Sequence, residues 1–405
     1  SGVGKMKILY INTVWGYGST GKLCVYLQNY LEKRNVNSIV AYGRRFEIPY
    51  AKRNNIYYFS SKLDNYTHAF YSFFFDLHGH ASKKSTKKLI DFIKRENPTV
   101  IHLHNLHGYY LNFPMLFEYL KTTEIPVVWT LHDMWPMTGH SAFMDEELIY
   151  TKKDYYIFDS KKNYPQSLSG RFQKNFLLKE KSFGNLKNIT IVTPSKWLQN
   201  IVQNTYLNKY ETAVIYNGVD LTPFKRDRNI KKYTKKTILG VANIWEERKG
   251  LKYFLELSKN LDQDTQIIIV GKIPEKVKLP PNCLNITRTD NVTELAEIYQ
   301  KSHVFFNPTL NDNFPTTNIE ALASGIPVVT FDTGGSGEIV LNDRIGFVVK
   351  HRNIDAIKNS LKKFLYTEQS VEDDCRKAAE NFSAENMGKS YYQLYERIIK
   401  FKADE

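Results

Sequence analysis

Short apolar runs of strand length alternate with stretches of helical period, and they do so twice along the chain. "KILYINTV" (residues 7–14) opens the series as a buried strand, and "GKLCVYLQNYLEKRN" follows with Leu23, Tyr26, Leu27, Tyr30 and Leu31 on a helical repeat. "SIVAYG", "TVIHLHNL", "IPVVWTLHD" and "ITIVTPS" continue the strands. "KKLIDFIKREN" (stopped by Pro98), "FPMLFEYLKT" and "KWLQNIVQN" continue the helices. This rhythm demands parallel strands, because each strand is followed by a crossover helix.

The turn-rich "IYNGVDLTPFKRDRN" interrupts the pattern with Asn217-Gly218 and Pro223 as breakers. The alternation then restarts with "KTILGVAN", "GLKYFLELSKNL", "TQIIIVG", "LNITRT", "VTELAEIYQKS", "VFFNPT", "TNIEALAS", "IPVVTFD" and "GFVV". The expected fold is α/β: two Rossmann-like, doubly wound parallel-sheet domains facing across a ligand cleft. Their boundaries are expected at 6–220 and 221–384. Residues 385–405 form one long helical pattern expected to pack back toward the first domain. A chain of 405 residues exceeds one ordinary core, in keeping with two domains.

No apolar run approaches the roughly 18 residues of a membrane span; the longest, "YSFFFDL", stops at Asp76. Three scattered cysteines (Cys24, Cys283, Cys375) suggest reduced thiols in a cytoplasm and no disulfide frame. The residues before Met6 read as a leftover tag, and no secretory signal is expected. Residues 1–220 carry 28 Lys and Arg against 17 Asp and Glu, an excess of 11, whereas the rest carry 28 against 25. Nearly all of the net +14 therefore sits in the first half, which favours an anionic partner: a phospholipid surface, a lipid-linked phosphate or nucleic acid. The segment 57–88 mixes aromatics with a basic run. It reads as a core-facing aromatic helix followed by a solvated loop, with an interfacial segment against an anionic leaflet as the alternative. No RNP or KH pattern accompanies it, so nucleic acid is not expected.

Chemistry concentrates in "NPTLNDNFPTTNIEALASGIPVVTFDTGGSGEIV", Asn307 to Val340. A strand ends, a polar loop follows, and a helix starts near Thr316 and Thr317, with Gly325 as its stop. Free backbone N–H groups at the positive end of a helix dipole suit a diphosphate. Glu320 lies about one turn in, and Asp312 eight residues earlier. Carboxylates beside phosphates repel them unless they reach past to sugar hydroxyls, which a carboxylate accepts in pairs. Gly334-Gly335 then supplies a close-approach turn. In "NIWEERKG", the cations Arg248 and Lys249 can stabilise a departing diphosphate.

Two further patterns need weighing. Gly16 to Lys22 fits the first seven positions of a P-loop, but Leu23 stands where the pattern puts its metal-binding hydroxyl. Among the histidines, His132 ends a strand where a cleft residue sits, and His140 lies just beyond it. His102 and His104 share one side of a strand and read as structural. His107 and Asn105, in the following loop, read as lining an acceptor cleft. No cysteine or paired carboxylate completes a ligand set, so no metal is expected.

Together these segments resemble the family-4 glycosyltransferases of the two-Rossmann-domain GT-B fold, whose signature is Glu-x7-Glu followed by A-x-x-x-G-x-P-V-V. The likeness extends through the first glycine loop, "TLHD", "TPS", "YNGVD", "ERKG" and the closing helix. "HLHNLHGYYLN" and "WTLHDMWPMTGH" resemble a subgroup that builds bacterial capsule and exopolysaccharide. Two positions depart: Asp312 replaces the first Glu, and Asn243 stands at the usual Arg, for which Arg248 is a substitute. The resemblance implies retaining, metal-independent transfer of a sugar from a nucleoside-diphosphate donor to a hydroxyl of a lipid-linked glycan. Glu320 would meet the ribose and Asp312 the sugar. The amides of Thr316, Thr317 and Asn318, with Lys249 and Arg248, would hold the diphosphate. Gly16, Gly18, Asn243 and Phe314 would line the donor site, and His132 would stand near the reacting carbon. Asn105, His107 and His140 would meet the acceptor. No cofactor is implied, and the expected location is cytoplasmic, including the inner face of the membrane. A nucleotide-sugar epimerase, a P-loop triphosphatase and a non-catalytic glycan-binding module are the competing readings.

Overall fold

The computed structural model describes residues 6–46, 55–143, 159–367 and 369–404; the residues before Met6 lie outside them. The chain divides into two compact units, Ser1–Tyr216 with Met387–Glu405, and Asn217–Asn386.

The first unit begins β1 (Lys7–Asn12), α1 (Gly18–Glu32), β2 (Asn37–Tyr42), β3 (Ile56–Tyr58), α2 (Lys62–Phe75) and α3 (Lys83–Glu96). It continues β4 (Val100–Leu103), α4 (Phe113–Leu120), β5 (Val127–Thr130), α5 (Phe172–Phe183), β6 (Ile189–Thr193), α6 (Lys196–Gln203) and β7 (Glu211–Val214). These strands make an all-parallel seven-stranded sheet in the order β3-β2-β1-β4-β5-β6-β7. Alternation along β1 shows why its sequence is apolar throughout. Ile8 and Tyr10 enter a cluster with Leu27 and Leu31 of α1, and Leu9 and Ile11 enter the opposite cluster with Leu89 of α3 and Trp129.

The second unit runs β8 (Lys236–Ile244), α7 (Leu251–Ser258), β9 (Thr265–Lys272), β10 (Cys283–Ile286), α8 (Val292–Lys301) and β11 (Val304–Asn307). After these come α9 (Thr316–Ala323), β12 (Val328–Phe331), β13 (Gly346–Val349), α10 (Ile354–Leu365) and α11 (Glu372–Glu380). Its sheet is also parallel, ordered β10-β9-β8-β11-β12-β13. Strand order reverses between β1 and β4 in one unit and between β8 and β11 in the other. In doubly wound sheets, loops leaving the strands at such a reversal diverge and open a crevice.

Three features depart from the sequence reading. The edge strands β3 and β7 escape it because they are short, only partly buried, and run straight into the aromatic segment 57–88 and the turn-rich "IYNGVD" stretch. Helices α5, α10 and α11 fill stretches left unassigned. The aromatic segment is corrected outright: α2 buries only His68 and Ser72 and turns its aromatics outward, and α3 starts at Lys83 inside the expected loop.

The closing helix α12 (Ala384–Asp404) brings Met387, Tyr391, Leu394 and Tyr395 into the same cluster as Ile8 and Tyr10. Its polar anchors are specific. The Tyr395 hydroxyl lies 2.7 Å from His102 Nδ1, the Tyr391 hydroxyl 2.7 Å from Thr130 Oγ1, and that Thr130 oxygen 2.8 Å from His102 Nε2. Both ring nitrogens of buried His102 are thus engaged. Tyr395→Phe removes one partner from a ring that water cannot reach, and should cost about 1–3 kcal/mol. Urea denaturation of the full chain measures this; an unchanged midpoint would show that the bond contributes nothing.

Candidate functional site

In the second unit the reversal separates two loops, 245–250 after β8 and 308–315 after β11. They are sewn together: the Leu310 N–H donates to the Arg248 carbonyl at 2.7 Å. Gly250 makes this approach possible. It sits at φ +79°, and a Cβ there would lie 2.1 Å from the Pro308 carbonyl oxygen. Gly334 does the same from the other side, at φ +52° with a Cβ position 1.8 Å from the Asp312 carbonyl oxygen. The glycine turn read from "TGGSGE" is therefore packed directly on the Asp312 loop.

Lys249 Nζ lies 2.8 Å from Asp312 Oδ2, with both side chains still partly open to solvent at 24% and 19%. The other carboxylate oxygen of Asp312 accepts the Phe314 N–H at 3.3 Å. Arg248 is half-buried, its guanidinium on Glu246 Oε2 (3.0 Å) and on the Asn311 carbonyl (3.2 Å). Asn243 is the next-to-last residue of β8 and is exposed. Helix α9 starts after Pro315 with no side-chain cap and no acid in its first turn. The Asn318 N–H is turned onto the Pro315 carbonyl (3.1 Å), which leaves the Thr316 and Thr317 amides as those the helix does not use. The Asn318 side chain is buried and ties Asn307 to the Ser336 carbonyl, so its part is to position the tip. Phe314 is buried against Phe382.

Glu320 Oε2 accepts the Tyr299 hydroxyl at 3.0 Å. Burial, and then the Glu320 charge, push the Tyr299 phenol well above its ordinary value, so it acts as a fixed donor that orients the carboxylate. The Ser336 hydroxyl is buried and has no hydrogen-bond partner among the described residues. Taken together, this region offers two cations, two unused amides at a helix tip, and two carboxylates within one compact unit.

The first unit carries the candidate histidines, on β4 and in the loops after β4 and β5. Thr13, after β1, donates to the carbonyls of Asn105 (3.2 Å) and His107 (2.6 Å) in the loop after β4. His107 Nε2 pairs with Asp133 Oδ2 at 2.5 Å. Burial pushes the Asp133 carboxyl upward, but His107, the Trp135 amide and His132 outweigh it and hold it below its usual range. His132 is partly exposed, with Nε2 2.9 Å from His104 Nδ1; burial drops it to about 4, so it is neutral near pH 7. His140 is enclosed, its Nδ1 2.6 Å from Asp76 Oδ1 with both side chains 1% exposed. Asn105 is partly exposed. Gly16 and Gly18 take positive φ, at +70° and +64°. Among the described residues, no three His, Cys, Asp or Glu side chains gather as a metal set would.

Three members of this network have no sequence motif. Lys179 is buried with Nζ on the carbonyls of Trp135 (2.6 Å) and Thr138 (3.0 Å), and burial lowers it to about 7 against the opposing pull of Asp159, Asp76 and Asp133. Asp159 accepts the amides of Gly139 (2.8 Å) and Ser141 (2.7 Å), and Asp76 accepts that of Arg171 (2.7 Å). These groups shape the loop that carries Asp133 and His140. The signal available was a lysine in the helical stretch "FQKNFLLKEKSF", whose partners stand more than 40 positions away.

The buried imidazoles set an acid limit. Burial lowers His68 to about 3 and His132 and His80 to about 4, and holds His78, His102 and His104 well below their ordinary value. In the unfolded chain each titrates near 6.5. Below that pH the unfolded state binds protons that the folded state refuses, so stability falls as pH drops from 6.5 toward 4. Each such histidine contributes up to about 1.4 kcal/mol per pH unit. Urea midpoints between pH 7.5 and 5 should decline steeply; a flat profile would contradict this account.

Comparison with known proteins adds the family. Residues 20–223 match the family described as Glycosyltransferase Family 4, and residues 222–382 match Glycosyl transferases group 1. The capsular polysaccharide biosynthesis glycosyltransferase CapM of Staphylococcus aureus is 24% identical over 204 residues, covering 45% of this chain and 54% of its own length. The UDP-Gal:alpha-D-GlcNAc-diphosphoundecaprenol alpha-1,3-galactosyltransferase of Escherichia coli is 28% identical over 182 residues, covering 40% of this chain and 46% of its own. The match thus spans about half the length of these two relatives. Among solved structures, sucrose-phosphate synthase from Thermosynechococcus elongatus aligns with a TM-score of 0.71 at 12% identity, over 98% of this chain and 99% of its own. HepE of Anabaena, in complex with UDP, aligns at 0.67 and 13% identity, over 97% and 100%. At such identities the structures speak to the fold, and the fold is the same. The chain belongs to the family-4 glycosyltransferases, and its two parallel-sheet units are the two halves of the GT-B fold.

Proposed function

We propose that the protein transfers a sugar from a nucleoside-diphosphate donor to a hydroxyl of a lipid-linked glycan, in the building of a surface polysaccharide. The observation that carries this is the joined pair of loops at the β8/β11 reversal, which sets Lys249 and Arg248 beside the uncapped start of α9. A diphosphate is the anion that such a mixture of cations and helix-tip amides suits. The carboxylate of Glu320, oriented by Tyr299, suits the paired hydroxyls of a ribose. Asp312 holds Lys249 in place and retains lone pairs for a sugar hydroxyl. Donor chemistry of this class is supported by the UDP bound to HepE, and a lipid-linked acceptor by the diphosphoundecaprenol glycan named for the Escherichia coli galactosyltransferase. A capsular setting is supported by CapM.

Transfer proceeds with retention. The acceptor oxygen bonds to the anomeric carbon on the face from which the diphosphate leaves, and the bond from that carbon to the phosphate oxygen breaks. The leaving phosphate takes the acceptor proton. Lys249, Arg248 and the Thr316 and Thr317 amides stabilise the departing charge, so the reaction requires no divalent cation. A neutral His132 serves as a hydrogen-bonding group near the sugar, not as a strong base. The place of action is the cytoplasmic face of the membrane, with the protein bound peripherally.

Glu320→Ala should abolish transfer from UDP-, GDP-, CDP- or dTDP-sugars while leaving the unfolding midpoint intact; near-normal turnover would remove the donor assignment. Lys249→Ala should lower kcat by about 100-fold, the scale of losing one charge stabiliser. EDTA should leave the rate unchanged, and a strict Mg²⁺ requirement would refute the metal-free step. Incubating the donor alone should leave its sugar unaltered, because an epimerase would convert it without acceptor.

A further inference from the structure

Helix α2 is inside out. Its inward stripe is polar and fully engaged: Asn65 Nδ2 donates to the carbonyls of Gly43 (3.2 Å) and Tyr109 (3.0 Å). His68 Nδ1 lies 2.8 Å from Ser82 Oγ, and its Nε2 accepts the Gly79 N–H at 2.9 Å. Its outward side carries Leu63, Tyr66, Phe70, Tyr71, Phe73, Phe74 and Phe75, each between 41% and 77% exposed. A helix on a soluble core buries its apolar side. Here the hydrogen bonds fix the opposite orientation, so the aromatic side faces outward by construction.

The exposed rings touch mainly one another, with Phe70 and Phe74 centroids 4.6 Å apart and Phe73 and Phe74 5.2 Å apart. Leu168, 59% exposed, extends the patch, because its N–H donates to the Phe73 carbonyl at 2.7 Å. Six aromatics half out of water leave on the order of 500 Å² of apolar surface, at the size that marks an interaction site. The surrounding charge has one sign. From Lys62 to Lys88 there are five lysines (Lys62, Lys83, Lys84, Lys87 and Lys88), all exposed. The two acids in that span are tied to the protein, Asp64 by Ser85 Oγ (2.6 Å) and Asp76 by His140. The bond to Ser85 also sets the start of α3, with its four lysines, beside α2.

We propose that the outward side of α2, with the lysines at the start of α3, docks the protein onto an anionic phospholipid bilayer. Aromatic rings suit the headgroup boundary and the lysines suit anionic headgroups. A second copy of the chain would instead bring five more lysines against these, and like charges oppose that contact. Asp76 ends α2, accepts the Arg171 N–H and holds His140, so the docking helix and the loop of candidate acceptor residues share one anchor. Rested on the function proposed above, this places the acceptor loop next to the bilayer in which a lipid-linked glycan is embedded.

The test is co-sedimentation of the full chain with phosphatidylcholine vesicles, with and without phosphatidylglycerol, in the absence of any donor or acceptor. Wild type should pellet with phosphatidylglycerol vesicles and be released by salt. The doubles Phe70→Ser with Phe74→Ser, and Lys83→Glu with Lys87→Glu, should each weaken partition at least about tenfold at an unchanged unfolding midpoint. Equal partition of wild type and variants would overturn the proposal, as would equal binding to neutral vesicles. Size exclusion showing a wild-type dimer that the Phe double dissolves would assign the patch to self-association and also overturn it. Transfer to a short-chain, water-soluble acceptor should survive in both doubles. Its absence in wild type would count against the function, and leave the vesicle result standing by itself.

Discussion

The Leu310 N–H on the Arg248 carbonyl, with the Arg248 guanidinium on the Asn311 carbonyl and Lys249 on Asp312, holds together the two loops that a doubly wound sheet would otherwise send apart. The arrangement of the candidate site in the second unit follows from that closure. It puts Lys249 within reach of Asp312, and it forces glycine at position 250, where any side chain would strike the Pro308 carbonyl. Gly334 closes the third side onto Asp312. The resulting chemistry is electrostatic. A helix start carries roughly half a positive charge when its amides are unused, and α9 has neither a cap nor an acid to cancel it. Lys249 and Asp312 remain partly wet, so the pair is cheap to open. In the proposed function, an arriving diphosphate therefore takes over the lysine without leaving a buried carboxylate unpaired.

The first unit solves a different problem, the fastening of polar groups within the long loops beyond β4 and β5, whose Leu106, Tyr110, Leu131, Met134 and Trp135 already sit in its core. It uses imidazoles and carboxylates in pairs: His107 with Asp133, His140 with Asp76, and Lys179 centred on backbone carbonyls. Burial keeps most of the histidines neutral, and this bears on mechanism. A neutral His132 can donate or accept a hydrogen bond to a sugar, but at about 4 it is too weak a base to take an acceptor proton early. The proposed route gives the proton to the leaving phosphate, and this environment fits that division of labour.

Backbone-driven features were legible in the sequence. Strands buried on both sides are apolar nearly throughout, so β1, β2, β4 to β6, β8, β9, β11 and β12 announced themselves, as did the loop and helix start around Thr316. The short edge strands β10 and β13 were read as well, whereas β3 and β7 went unread because their apolar letters run into the aromatic segment 57–88 and the turn-rich stretch from Ile215. The partners of Lys179 and His140 were hidden for another reason. Asp76 lies 64 positions before His140, and no local pattern encodes a pairing made by tertiary structure. The orientation of α2 was misread because aromatics were assumed to point inward. Asn65, His68 and Ser72 form a polar stripe on a 3.6-residue period, the pattern of an ordinary solvated face, and only their tertiary bonds to Gly43, Tyr109, Gly79 and Ser82 turn it inward.

The glycine loop after β1 shows how far letters can mislead. Seven positions from Gly16 to Lys22 follow the P-loop pattern, whose function depends on successive amides curving around a phosphate. In this chain α1 spans Gly18–Glu32, and although Gly18 itself sits at φ +64°, Ser19 to Lys22, which should complete the cradle, are helical. The Gly16 amide is turned onto the Gly21 carbonyl at 3.1 Å. Gly21 is needed for a packing reason, since a Cβ there would press on the Gly16 nitrogen and on Val14 at 3.1 Å. The triphosphatase reading thus fails on where the amides point, a property of chain path that the pattern does not encode. The same criterion supports the α9 tip, where the first amides stay unused and cations stand in the adjoining loop.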